Sequence, residues 1–168
     1  MADIHYLDDP LETEDLLELL CPPVRNWFKD KFPDFTEPQK LAIPAIMDQE
    51  HLLLCSPTGS GKTLTAFLTI IDQLVRRALD NKLDKRVYCV YISPIKALAN
   101  DIQRNLIGPL TEISETYLPS RAQEIRVGLR TGDTPQSERQ KMLRNPPHIL
   151  ITTPESLAIA ITSPRFQP

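Results

Sequence analysis

The stretch Ser56-Pro57-Thr58-Gly59-Ser60-Gly61-Lys62-Thr63 decides the fold class because of what stands on either side of it. Before it, His51 to Cys55 is an apolar run of strand length. After it, Leu64, Phe67, Leu68, Ile71, Leu74, Val75 and Ala78 recur at i, i+3, i+4, i+7 spacing and predict one amphipathic helix. Strand, glycine-rich turn and helix in that order make a phosphate cradle rather than an ordinary turn. The glycines let backbone N–H groups converge on a polyphosphate, and a helix N-terminus favours the anion. Lys62 is placed to reach the outer phosphates of a nucleotide such as ATP, and the Thr63 hydroxyl to ligate Mg2+. The candidate nucleotide-binding set is therefore Ser56, Thr58, Gly59, Ser60, Gly61, Lys62 and Thr63, with Thr63 also the candidate metal ligand. One departure from the usual phosphate-loop pattern is Ser56, which stands where its first glycine is commonly found.

Working outward, three further runs read as strands: Arg86 to Ile92, Ile125 to Arg130, and His148 to Thr152. Strands that alternate with helical patterns imply right-handed crossovers into a parallel sheet, so the expected class is α/β. The last two are followed by Thr134-Pro135 and Thr153-Pro154, which predict helices with a hydroxyl at the N-cap and proline at N1. Upstream, residues 11–20 predict a short acidic helix ended by Cys21-Pro22-Pro23. Val24, Trp27 and Phe28 share one face of a second helix. A third helix, N-capped by Thr36 and carrying the stripe Leu41, Ala42, Ala45 and Ile46, is expected to kink at Pro44.

In Phe35-Thr36-Glu37-Pro38-Gln39, the Gln39 amide offers a donor and an acceptor side by side, the pairing that adenine N7 and N6 require. Phe32 reads as core, while Phe35 is open between core and a cover for a base. In an open parallel sheet, ligands gather at the strand C-termini. There the sequence places Ser93-Pro94-Ile95-Lys96, Thr131-Gly132-Asp133-Thr134 and Thr153-Pro154-Glu155. Hydroxyls, backbone amides and helix N-termini at that edge suit a sugar-phosphate backbone held without reading bases.

The chain has 168 residues, 41% hydrophobic and 24% charged, which suits one domain with a core rather than a disordered tail. Its net charge of -3 is uneven: residues 1–20 hold seven Asp or Glu and no Lys or Arg, leaving 19 basic against 15 acidic residues elsewhere. That excludes a broadly basic nucleic-acid face but allows a local groove. Cysteines at 21, 55 and 89 form no CxxC pair, so neither a disulfide framework nor a zinc cage is expected. With no signal peptide and no membrane span read in the sequence, the expected location is cytoplasmic.

Taken in this order, the motifs resemble the first motor domain of superfamily 2 helicases, and most of all the Lhr (large helicase-related) type, from about Trp27 to Pro164. The resemblance implies a RecA-like parallel sheet. It assigns Gln39, Gly59, Gly61, Lys62 and Thr63 to ATP, and Ser93, Pro94, Lys96, Thr131, Gly132, Thr153, Pro154 and Glu155 to the nucleic-acid strand. It further implies ATP-driven translocation on single-stranded nucleic acid, DNA ahead of RNA, in DNA repair. The family's DExH acid pair and second motor domain are not found in the 168 residues, and neither Asp133 nor Glu155 suits the role of catalytic base. The expectation is an acidic N-terminal helix and proline break over residues 1–23 and a partial ATP-binding domain over 24–168, which binds ATP without cleaving it. By family analogy the strands not found lie between the phosphate-loop strand and the strand ending at Ile92, which leaves unpaired edges and marginal stability. The alternatives are a non-catalytic nucleotide or nucleic-acid binding module, or half of a split helicase needing a partner chain.

Overall fold

The computed structural model describes residues 4–94 and 102–162. The chain divides into two compact units, one of Met1–Arg76 with Arg104–Pro119, the other of Arg77–Gln103 with Ser120–Pro168.

The first unit is helical. Helix α1 (Thr13–Leu19) stops before Cys21, and the two prolines that end it occupy the first turn of α2 (Pro22–Lys31), where a missing N–H costs nothing. Val24, Trp27 and Phe28 are buried as their spacing predicts. Helix α3 (Glu37–Met47) is N-capped by Thr36 and runs on through Pro44. Helix α4 (Lys62–Leu79) begins on the glycine-rich turn, and all seven residues of its predicted stripe are buried. A π-helical turn, Gln103–Ile107, leads into α5 (Gly108–Thr116). Trp27 Nε1 donates to Glu112 Oε2 at 2.7 Å, and Lys31 Nζ lies 3.1 Å from the same oxygen, tying α2 to α5.

Helix α1, read in the sequence as a packing element despite its acidic residues, belongs to this unit. Leu16 and Leu20 are buried, and Leu11 N–H donates to Lys40 O at 3.3 Å. Asp72 on α4, 1% exposed, accepts the Cys21 N–H at 2.6 Å and the Arg76 Nε–H at 2.6 Å, while Arg76 also donates to Leu19 O at 2.6 Å. A carboxylate is tolerated at that depth because donors satisfy both of its oxygens.

The second unit carries a three-stranded parallel sheet in the order β1 (Cys89–Ile92), β3 (Ile149–Thr152), β2 (Val127–Arg130). Helix α6 (Gln136–Arg144) follows β2, and α7 (Pro154–Ile161) follows β3. Central β3 is buried at all four positions, as expected of a strand with neighbours on both sides. Its register aligns Ile92, Thr152 and Arg130 in one row, so Ser93, Thr153 and Thr131 all follow that row at the same edge.

One expected strand is not formed. Residues 51–55 carry no ladder, and Leu53 is 87% exposed. A strand exists through its hydrogen-bonded neighbours, and among the described residues none lies beside this run. The apolar residues Val90 and Ile92 of the edge strand β1 are also exposed.

Candidate nucleotide pocket and strand-binding edge

The turn before α4 has the backbone the sequence demands. Gly59 and Gly61 have φ of 83° and 86°, values at which a Cβ is strained. Their reasons differ. A Cβ on Gly59 would meet nothing within 4 Å, whereas on Gly61 it would lie 2.8 Å from Gln39 Nε2 and 3.3 Å from Gln39 Cδ. The amide of Gln39 therefore rests on the phosphate loop, and Gly61 is glycine partly to make room for it. Gln39 is 3% exposed, and its Oε1 accepts the Thr36 N–H at 2.9 Å, one half of a capping box on α3. The Thr36 hydroxyl donates to Ser60 O at 2.8 Å, a second tie between α3 and the loop. Sequence reasoning took this hydroxyl for a simple helix cap and missed the tie, which no local pattern announces.

Within the loop, Ser56 Oγ and Ser60 Oγ are 2.7 Å apart. The serine at the usual glycine position is thus a hydrogen-bonding member of the loop. Lys62 Nζ donates to the carbonyls of Ser56 and Pro57, the latter at 2.6 Å, so its ammonium is turned onto the loop it is expected to serve. Thr58 and Gly59 are exposed; Thr63 is half-buried at the first turn of α4. Among the rings, Phe35 is core: it is 4% exposed and stacked on Phe28 at 3.9 Å. Phe32, expected in the core, is 36% exposed with its ring edge-on to Trp27. It is the C-cap of α2, one residue past the helix, with its ring also 5.0 Å from that of Phe28.

At the sheet edge of the second unit, Ser93 N–H continues the ladder to Thr152 O at 3.1 Å, and Pro94 is exposed. Lys96 lies outside the described residues. Thr153 is 1% exposed, and its hydroxyl caps α7 by accepting the Ser156 N–H at 3.3 Å, so it is spent on the helix. Pro154 and Glu155, which follow it, are exposed.

The turn after β2 departs from expectation. Thr134 is not the N-cap of α6; Pro135 is. The Thr134 hydroxyl instead accepts the Thr131 N–H at 2.8 Å and closes the turn on itself. Arg139, which sequence reasoning passed over, gathers this turn: Nε donates to Thr134 O at 2.8 Å, and Nη2 to Thr131 O at 3.1 Å and Gly132 O at 2.8 Å. Burial first, then the Arg139 charge, pull the Arg130 guanidinium below its ordinary value.

Among the described residues no three His, Cys, Asp or Glu side chains converge as a metal site, and no helix is long and apolar enough to cross a membrane. A glycine-rich loop opening a helix, with the Gln39 amide against it and a parallel sheet following in the chain, is the arrangement of an α/β protein of the RecA-like kind. The DEAD/DEAH box helicase model matches residues 36–167, and the chain belongs to that family. Among curated proteins it is 51% identical over 168 residues to the ATP-dependent helicase Lhr-Core of Methanocaldococcus jannaschii, covering 99% of this chain and 20% of that one. It is 45% identical over 164 residues to the Lhr helicase/uracil glycosylase of Escherichia coli, covering 93% of this chain and 10% of that one. A solved structure of Mycobacterium smegmatis helicase Lhr bound to ssDNA and AMP-PNP superposes with a TM-score of 0.75 at 42% identity, over 89% of this chain and 19% of that one. The yeast DEAD-box splicing factor Prp28, at 22% identity and a TM-score of 0.71, shares the fold. The chain spans about a fifth of the length of the Lhr-Core relatives it matches.

Proposed function

We propose that these residues are the nucleotide-binding part of the first motor domain of an Lhr-type helicase, holding ATP on the loop 56–63 and a single nucleic-acid strand along the C-terminal edge of the sheet. The observation that carries the reading is the seating of Gln39 on Gly61. It sets an amide able to pair with adenine against a glycine-rich loop suited to phosphate, which supports one site for both ends of a nucleotide. Phosphate oxygens arriving at the loop replace the Ser56 and Pro57 carbonyls as acceptors for Lys62, at a helix N-terminus that favours the anion. Oε1 of Gln39 accepts one hydrogen bond from Thr36 and has capacity for a second, the one that adenine N6 would donate.

Mg2+ fits the donors of this loop in one way. Thr63 would supply a hydroxyl beside the nucleotide's own phosphate oxygens and water, the usual mode for a cation that dehydrates reluctantly. Bound there, it would neutralise phosphate charge. Among the described residues no acid pair stands at the end of β1, β2 or β3; on this reading the chain contributes binding and orientation, and cleavage of the phosphoanhydride needs carboxylates to hold the metal and orient the water.

At the other site, Ser93, Pro94, Thr131, Gly132, Pro154 and Glu155 share one edge and hold a backbone without reading its bases, which suits a translocating strand. DNA is favoured over RNA because the M. smegmatis relative was solved with ssDNA; a place in DNA repair follows from the Lhr resemblance. Titration calorimetry with Mg-ATP tests the nucleotide half: wild type binds and Lys62→Ala does not. Equal affinity in the two would refute it.

A further inference from the structure

Gly132 poses a question the fold does not answer. Its φ is not in the positive region, and a Cβ built on it would meet nothing within 4 Å. Neither backbone strain nor a crowded neighbour requires glycine there, and the space where a Cβ would stand is open. The carbonyls of the same turn are accounted for in an unusual way. Those of Thr131, Gly132 and Thr134 all accept from one guanidinium, at 3.1, 2.8 and 2.8 Å. With three carbonyls drawn to Arg139 and the Thr134 hydroxyl holding the Thr131 N–H, the negative ends of the turn's dipoles are neutralised. Arg130 at the end of β2 adds a second guanidinium nearby.

We propose that Arg139 is a positioning residue for nucleic-acid binding: by collecting the carbonyls of residues 131–134 it holds the turn in a shape whose bare Gly132 face accepts a backbone phosphate. This rests on the reading of that turn as a strand contact. Arg139 acts through the turn and uses its fork geometry, since three acceptors on two nitrogens suit a planar guanidinium and not an ammonium. Lysine at the same place keeps the charge and loses the fork.

The experiment measures binding of a fluorescent oligo-dT to the chain across a salt series, for wild type, Arg139→Lys, Arg139→Met and Gly132→Val, with Mg-ATP calorimetry as the check that each variant is folded. The expected result is that Arg139→Lys and Arg139→Met weaken oligo-dT binding alike, by roughly 3- to 10-fold, the scale of one or two lost hydrogen bonds. ATP affinity and the salt slope stay at the wild-type value. If Arg139→Lys binds as wild type while Arg139→Met lowers the salt slope by about one, Arg139 contacts phosphate directly and the positioning role is overturned. Unchanged binding in both also overturns it. If Gly132→Val binds oligo-dT as well as wild type, the turn is not a strand contact, and the underlying reading falls together with the proposal.

Discussion

Gly59 and Gly61 share a backbone conformation but not an environment, and replacing each by alanine separates the two reasons for glycine. Both substitutions place a Cβ at positive φ, at a cost of about 1–2 kcal/mol. For Gly59→Ala that is the whole effect, because its Cβ enters open space. In Gly61→Ala the new carbon sits 2.8 Å from Gln39 Nε2, too close to remain, so the buried amide has to move. Moving it sacrifices the 2.9 Å bond from Thr36 N–H to Oε1, worth about 0.5–1.5 kcal/mol. Gly61→Ala should therefore be less stable than Gly59→Ala by about 1 kcal/mol, read as a difference in urea midpoint at constant m. In a Gln39→Ala background the gap should close, because the obstructing amide is gone. Gly61→Ala should also lose preference for ATP over UTP, since the amide proposed to read the base is displaced. If both glycine variants prove equally stable, or the gap survives Gln39→Ala, then Gln39 does not rest on the loop as described.

Two further outcomes follow from buried groups. His148 is fully buried with Nδ1 accepting the Arg126 N–H at 3.1 Å; burial, then the Arg126 charge, hold its pKa below the ordinary 6.5. The unfolded chain takes up this proton first, so stability is fully present above about pH 6.5 and falls as the pH drops below it. The depressed carboxyls Asp34 and Glu112 titrate lower and do not interfere. Urea midpoints at pH 7.5 and 5.5 should differ for wild type and much less for His148→Gln; a flat wild-type profile would sink the argument. Burial pushes the Cys21 thiol up to about 12 and Cys89 to about 11, whereas Cys55 is exposed beside the phosphate loop. Iodoacetamide should label Cys55 first and the others only on unfolding, as mass spectrometry would show. Early labelling of Cys21 would contradict its packing against α4.

The helices were legible from the chain because their determinants are local. Backbone bonds close within four residues, so the seven-residue stripe of α4, the prolines in the first turn of α2 and the Thr153-Pro154 start of α7 each carried their own evidence. The glycines of the phosphate loop were equally readable, since positive φ is a property of the residue itself. Strands β1, β2 and β3 were found through apolar runs, although their pairing order β1-β3-β2 was not. Residues 51–55 show why: the run is as apolar as the others, yet a ladder depends on which segment lies alongside, and that is settled by distant parts of the chain.

The same reason separates what was read from what was missed at the sites. Gln39, Lys62 and Thr63 were singled out as candidates by chemistry at fixed spacing. Whether Gln39 would rest on Gly61, whether the Thr36 hydroxyl would reach Ser60, and whether Phe35 or Phe32 would be the covered ring depended on how α2 and α3 pack. Arg139 sits only a turn and a half beyond Thr134, but an arginine on a helix face is ordinarily solvated, and nothing in its spacing marked it. The chain alone thus determined the chemical groups and the local conformations that present them. Tertiary structure decided which of those groups meet, because contacts between segments distant in sequence are set by packing of the whole rather than by any pattern within a segment.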